Sequence, residues 1–92
     1  MGILASVTQQ PLEIRDYDID FVDWFPVSDS ITSVVINSAP AGLVVGFALK
    51  TPVIKVWVQG GVNGGVYKIT VRAGTFEGRV KEVELKVRVK DS

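Results

Sequence analysis

The chain has 92 residues, with 10 Lys plus Arg against 10 Asp plus Glu, no His and no Cys. A zero net charge excludes a nucleic-acid binder held by phosphate neutralisation. Missing Cys and His exclude structural zinc, disulfides, thiol nucleophiles and the commonest general base.

The residue types favour strands. There are 17 Val, 7 Ile and 5 Thr against 5 Leu, 5 Ala and 1 Met. Branching at Cβ suits a pleated surface and costs χ1 freedom in a helix. No long window shows a 3.6-residue period, so the chain reads as all-β.

The first 11 residues read as an extended N-terminal arm closed by Pro11, with nothing charged before Glu13. Gly2 followed by Ser6 formally fits an N-myristoylation pattern, but no polybasic partner follows. The apolar stretch 3–7 is too short to span a membrane and lacks the charged start of a signal peptide. Its uncharged content suggests that the arm crosses onto an adjacent chain by adding a strand to a neighbouring sheet.

The segment 12–21 alternates, with Tyr17, Ile19 and Phe21 on one face and Asp16, Asp18 and Asp20 on the other. Leu12 and Ile14 break that parity, which predicts a bend or bulge near Asp16-Tyr17. Pro26 breaks pairing after Trp24-Phe25, and Ser28-Asp29-Ser30 reads as a turn. Strands follow over 31–36 and 43–49, the latter interrupted by Gly46, a position expected to mark a bulge or a close backbone approach. The next strand, 53–59, sets Ile54, Val56 and Val58 against Lys55, Trp57 and Gln59. Asn63-Gly64 between alternating runs predicts a hairpin. Tyr67, Ile69 and Val71 then point inward, 73–78 reads as a longer connection, and Val83, Leu85, Val87 and Val89 share the last apolar face. Six or seven short strands, each with one apolar side, predict an immunoglobulin-like antiparallel β-sandwich, with a small β-barrel as the alternative. The organisation is then an arm, 1–11, and a single domain, 12–92.

Candidate sites are few. Asp16, Asp18 and Asp20 open like an EF-hand loop, but Phe21 and Val27 stand where that loop requires Gly and Glu. They read equally as a solvated face whose like charges discourage edge pairing. The Gly-rich run 60–65 is followed by a strand, whereas a phosphate loop needs a helix. Without His, only Lys or a carboxylate could serve a serine nucleophile as base, and the sequence has no Ser-x-x-Lys. No catalytic, cofactor-binding or metal-binding residue is expected. The aromatics point to protein contacts instead. One Trp is expected to fill the core and the other to mark an interface. The run 43–49 is apolar on both faces, so one face is expected to meet a neighbouring chain unless the loop 37–42 covers it. The candidate interface residues are Ile3, Leu4, Val7, Leu12, Trp24, Phe25, Val45, Phe47 and Trp57.

From Pro11 to about Lys90 the chain resembles a family of short tailed-bacteriophage proteins described as fibre–tail adaptors. The resemblance rests on Asp16-Tyr17-x-Ile19-Asp20 followed by Trp24, on Pro40-x-Gly42-Leu43, and on Val56-Trp57-Val58-x-Gly60-Gly61 with Gly65-x-Tyr67-x-Ile69-Thr70. Gly78-Arg79 then leads into a closing alternating strand. Two features depart from the family: Phe21 stands where Trp is usual, and 44–49 is more apolar than the usual Ser/Thr-rich stretch. The resemblance implies an Ig-like structural virion component that joins tail or fibre proteins. Its partners would be other virion proteins and copies of itself, without nucleic acid, membrane, cofactor or small-molecule substrate. Synthesis in the host bacterial cytoplasm would precede incorporation into the particle. A capsid decoration protein and a displayed host-surface or glycan-binding module are the alternatives.

Overall fold

The computed structural model describes residues 3–91, with side chains from residue 6 onward. Seven strands follow one another: β1 (Ile3–Gln9), β2 (Ile14–Asp20), β3 (Ile31–Ala39), β4 (Leu43–Lys50), β5 (Val53–Gly60), β6 (Val66–Thr75) and β7 (Val80–Val89). They form a four-stranded sheet in the order β1-β7-β6-β3 and a three-stranded sheet in the order β2-β5-β4. The described residues contain no helix, and the sheets do not close into a barrel. The architecture is therefore an immunoglobulin-like β-sandwich, measuring 44 × 22 × 19 Å.

Period-two alternation produces the layers. Ile54, Val56 and Val58 of β5 face Ile69, Val71 and Ala73 of β6 and Val83, Leu85, Val87 and Val89 of β7, all buried. Burying each of these Val, Ile and Leu side chains contributes about 1.5–3 kcal/mol, which lets a chain this short hold two sheets together. Phe21, just past β2, is fully buried and closes one end of the core.

Several expectations need correction. The sandwich is not wholly antiparallel: β1 runs parallel to β7, from Ile3↔Glu84 to Gln9↔Val89. The segment expected as an arm crossing to a neighbour is here the edge strand of the chain's own sheet. The reason is packing, since Val7 joins the core cluster and Gln9 is buried beside β7. Gly2 and the side chains of Ile3 and Leu4 lie outside the described residues.

Neither Trp fills the core, because Phe21 takes that place. No bulge interrupts β2, whose register with β5 is continuous from Ile14↔Gln59 to Asp20↔Val53. Ile14 and Leu12 simply remain exposed, Leu12 at 95%. Gly46 pairs with Trp57 in an unbroken β4–β5 register, and a Cβ there would meet nothing within 4 Å. The loop 60–65 makes no hairpin, because β5 and β6 belong to different sheets and the loop crosses between them. The hairpin lies one connection later, between β6 and β7, and Ala73 is a core residue of β6.

Candidate functional site

Most charged groups are occupied in holding the fold or covering a face. On the outer face of β2-β5-β4, Lys55 Nζ lies 2.8 Å from Asp16 Oδ2 and 3.0 Å from Asp18 Oδ1. Its hydrogen bond holds the Asp16 carboxyl below the usual range, and both carboxylates raise Lys55. Among the described residues, no three His, Cys, Asp or Glu side chains are grouped so as to hold a metal ion. The outer face of the four-stranded sheet is likewise cross-paired, Arg72 to Glu82 at 3.2 Å and Lys68 to Glu84 at 3.7 Å.

Asp29 is the buried exception. Its Oδ1 accepts from the backbone N–H of Ser30 (3.0 Å) and Glu77 (3.1 Å), and its Oδ2 from Arg79 Nη1 (2.8 Å). Desolvation pushes its pKa up, but hydrogen bonds from Thr75, Arg79, Glu77 and Ser30 outweigh it and hold the carboxyl below its ordinary value. This clamp fixes the β2–β3 loop to the β6–β7 turn.

Exposed apolar side chains gather elsewhere, on three surfaces. The first is the outer face of β2-β5-β4. There Trp57, 43% exposed, stands between Gly46 of β4 and Asp16 of β2, with exposed Ile14, Val44 and Ala48 on the same face and the Lys55–Asp16–Asp18 group directly alongside. An exposed aromatic with glycine on one side and an ion-paired carboxylate on the other has the anatomy of a docking anchor.

The second surface is the open side of the sandwich at β4. Leu43, Val45, Phe47 and Leu49 point to the core side, but β4 is an edge strand. Leu43 and Val45 are half-buried against the core, while Phe47 remains 49% and Leu49 39% exposed. A 500 Å³ groove at the β4–β5 turn lies on the opposite, outer face, lined by Asp18, Ala48, Lys50 and Lys55 together with Leu49 and Pro52.

The third surface is the loop end. Trp24 stands edge-on to Phe21 at 5.1 Å with Lys81 Nζ 4.9 Å from its ring centroid, and Phe25 stacks on Phe21 at 5.7 Å. Val27 (96% exposed) and Phe76 (81%) project from the same end, where Phe76 N–H donates to the Ser30 carbonyl. A 240 Å³ cleft lies between Phe25, Pro26, Val27 and Pro52.

The residues expected at an interface therefore do not form one site. Trp24 and Phe25 come together on Phe21. Val45 and Phe47 share the inward side of β4, and Trp57 stands on the opposite side of that sheet. Val7 is packed against the core and Leu12 projects from the β1–β2 turn. Ile14, Val27 and Phe76 are exposed without being among the candidates, and Val44 and Leu49 enter only as members of the apolar run 43–49. The parity of β2 and β4 was signal enough to place Ile14 and Val44 outward. No periodic signal marks Val27 or Phe76, which lie outside strands.

A two-sheet sandwich whose accessible chemistry is apolar patches and satisfied ion pairs belongs to the class of structural, surface-binding domains. Residues 9–88 match the family described as podophage GP4 fiber-tail adaptor protein gp77, and the chain belongs to that family. It is thus a structural adaptor of a phage virion. No curated protein matches the chain.

Proposed function

We propose that this protein joins a fibre component to a tail component of the virion through two separate apolar surfaces, and that several copies act together. The carrying observation is the distribution of exposed apolar groups. They collect around Trp57, along the core-facing side of β4 and, separately, around Val27 and Phe76, whereas on the outer face of β1-β7-β6-β3 the exposed Val35, Val66 and Val80 are scattered among ion pairs. A connector needs two faces that different partners can occupy at once, and the Trp57 surface and the Val27 and Phe76 surface lie on different parts of the molecule. The geometry of the Asp29 clamp supports a fixed loop end, so that its partner meets a preformed surface.

The test is co-purification with fibre and tail proteins expressed from the same phage. Trp57→Ala is expected to lose one partner and keep the other, and Val27→Asp with Phe76→Asp to lose the other one. Circular dichroism checks that both variants stay folded. Retention of both partners by both variants would refute the proposal.

A further inference from the structure

We infer that a second copy of this chain pairs with the free edge of β4, antiparallel and centred on Gly46, to give one six-stranded sheet across a two-fold axis. This deepens the self-association part of the proposal above, and it stands whether or not the Trp57 face docks a partner.

The edge is unguarded. Natural edge strands are usually blunted by charges, Pro or bulges. β2, the other edge of the same sheet, carries Arg15, Asp16, Asp18 and Asp20. β4 carries no charge before Lys50, no Pro, and no register shift along β5.

The occupant must be a strand, because what is unsatisfied is backbone. The Gly61 N–H donates to the Gly42 carbonyl at 3.1 Å, which sets the phase of the β4–β5 ladder. Even-numbered residues of β4 therefore turn their N–H and C=O toward β5. Leu43, Val45, Phe47 and Leu49 turn theirs toward the free edge.

The strand is complementary to itself. Centring on Gly46 pairs Val45 with the partner's Phe47, and Leu43 with the partner's Leu49. All of these lie on the core-facing side, and the pairs coincide with the outward-turned backbone groups. Phe47 then gains a β-branched cross-strand neighbour, a favoured pairing. On the outer side Val44 meets the partner's Ala48, and Gly46 meets the partner's Gly46. Antiparallel pairing carries the two Lys50 ammonium groups to opposite ends, whereas parallel pairing would set them side by side. The outer face becomes a row of Trp57, Gly46 and their two symmetry mates. The two Trp57 positions would stand about 14 Å apart across a glycine floor, three strand spacings.

The absence of Cys makes the register directly readable. A Gly46→Cys variant places its thiol in open space, at a position without positive φ. In the inferred pairing the two positions form a non-hydrogen-bonded pair with Cα atoms about 4.5 Å apart, within disulfide range. In Val44→Cys they would be offset by four residues, about 14 Å, and out of reach. The expected result is a disulfide-linked dimer on mild oxidation for Gly46→Cys and none for Val44→Cys. Sedimentation of the unmodified chain should show a concentration-dependent dimer, lost in Phe47→Lys while its circular dichroism is kept. A monomer at every concentration overturns the inference. So does an undiminished dimer in Phe47→Lys, or crosslinking at position 44 in place of 46.

Discussion

The Tyr17 hydroxyl donates to Gln9 Oε1 at 2.7 Å, and this bond ties the first strand of one sheet to the first strand of the other. Gln9 also donates through Nε2 to the Val58 carbonyl at 3.3 Å and the Glu13 carbonyl at 3.4 Å. A buried amide is tolerated because its oxygen and nitrogen both find partners. Tyr17→Phe should cost about 1 kcal/mol by leaving Gln9 Oε1 unpaired, and Gln9→Ala about 2–3 kcal/mol by leaving the Tyr17 hydroxyl without its acceptor and opening a cavity where the buried amide stood. Urea unfolding midpoints measure both.

Deletion of residues 1–10 extends that argument. Read as a free arm, the segment would be dispensable for folding. As β1 it pairs with β7 and carries Gln9 and Val7 into the interior. The truncated chain is therefore expected to melt lower than Gln9→Ala in differential scanning calorimetry. An unchanged melting temperature would restore the free-arm reading.

Tyr17 titration gives an alkaline counterpart. Burial raises its pKa above the ordinary 10.0, since the folded state disfavours the phenolate. A raised pKa means that its contribution is complete below the unfolded value and is lost as pH rises through the folded one. Stability should fall above about pH 10 in the natural chain, and less steeply in Tyr17→Phe.

What the sequence could reveal followed period and parity. β5, β6 and β7 alternate strictly, and their inward residues are the core. Trp57 reads as outward for the same reason. Three features lie beyond such reasoning. Parallel pairing of β1 with β7 joins segments from opposite ends of the chain, and no local pattern encodes it. The burial of Gln9 depends on partners at Tyr17 and Val58, whereas Gln is ordinarily a surface residue. Asn63-Gly64 does mark a turn, but turn chemistry does not say which sheet the next strand joins. The candidate interface residues are legible only as residue types. Whether Phe47 is covered depends on β4 being an edge, which is a property of the topology.

Asp29 predicts the acid limb of stability. Its pKa is lowered from 3.8, so its contribution is present above the unfolded value and is lost as pH falls through the folded one. Asp29→Asn keeps the shape but gives the Arg79 guanidinium a neutral partner. The variant should be less stable than the natural chain at pH 7, and the gap should narrow progressively as pH falls below 3.8. Urea midpoints from pH 2 to 7 check this, and a gap independent of pH would assign the clamp to shape alone.

The loop 60–65 separates backbone strain from crowding. Gly61 has φ +90°, and a Cβ there would lie 2.8 Å from Val89 Cγ2 and 3.1 Å from both Leu43 Cδ2 and Tyr67 Cε1. Val89 is fully buried and cannot withdraw. Gly64 has φ +87° but open space around the same position. Gly64→Ala should therefore cost only the left-handed backbone penalty, about 1–2 kcal/mol. Gly61→Ala should add the overpacking term, about 1–3 kcal/mol more. Thermal unfolding of the two variants side by side measures the difference. Equal losses would mean that Val89, Leu43 and Tyr67 can move apart around the added methyl, so that the loop does not fix the spacing of β4, β6 and β7 at this end of the sandwich.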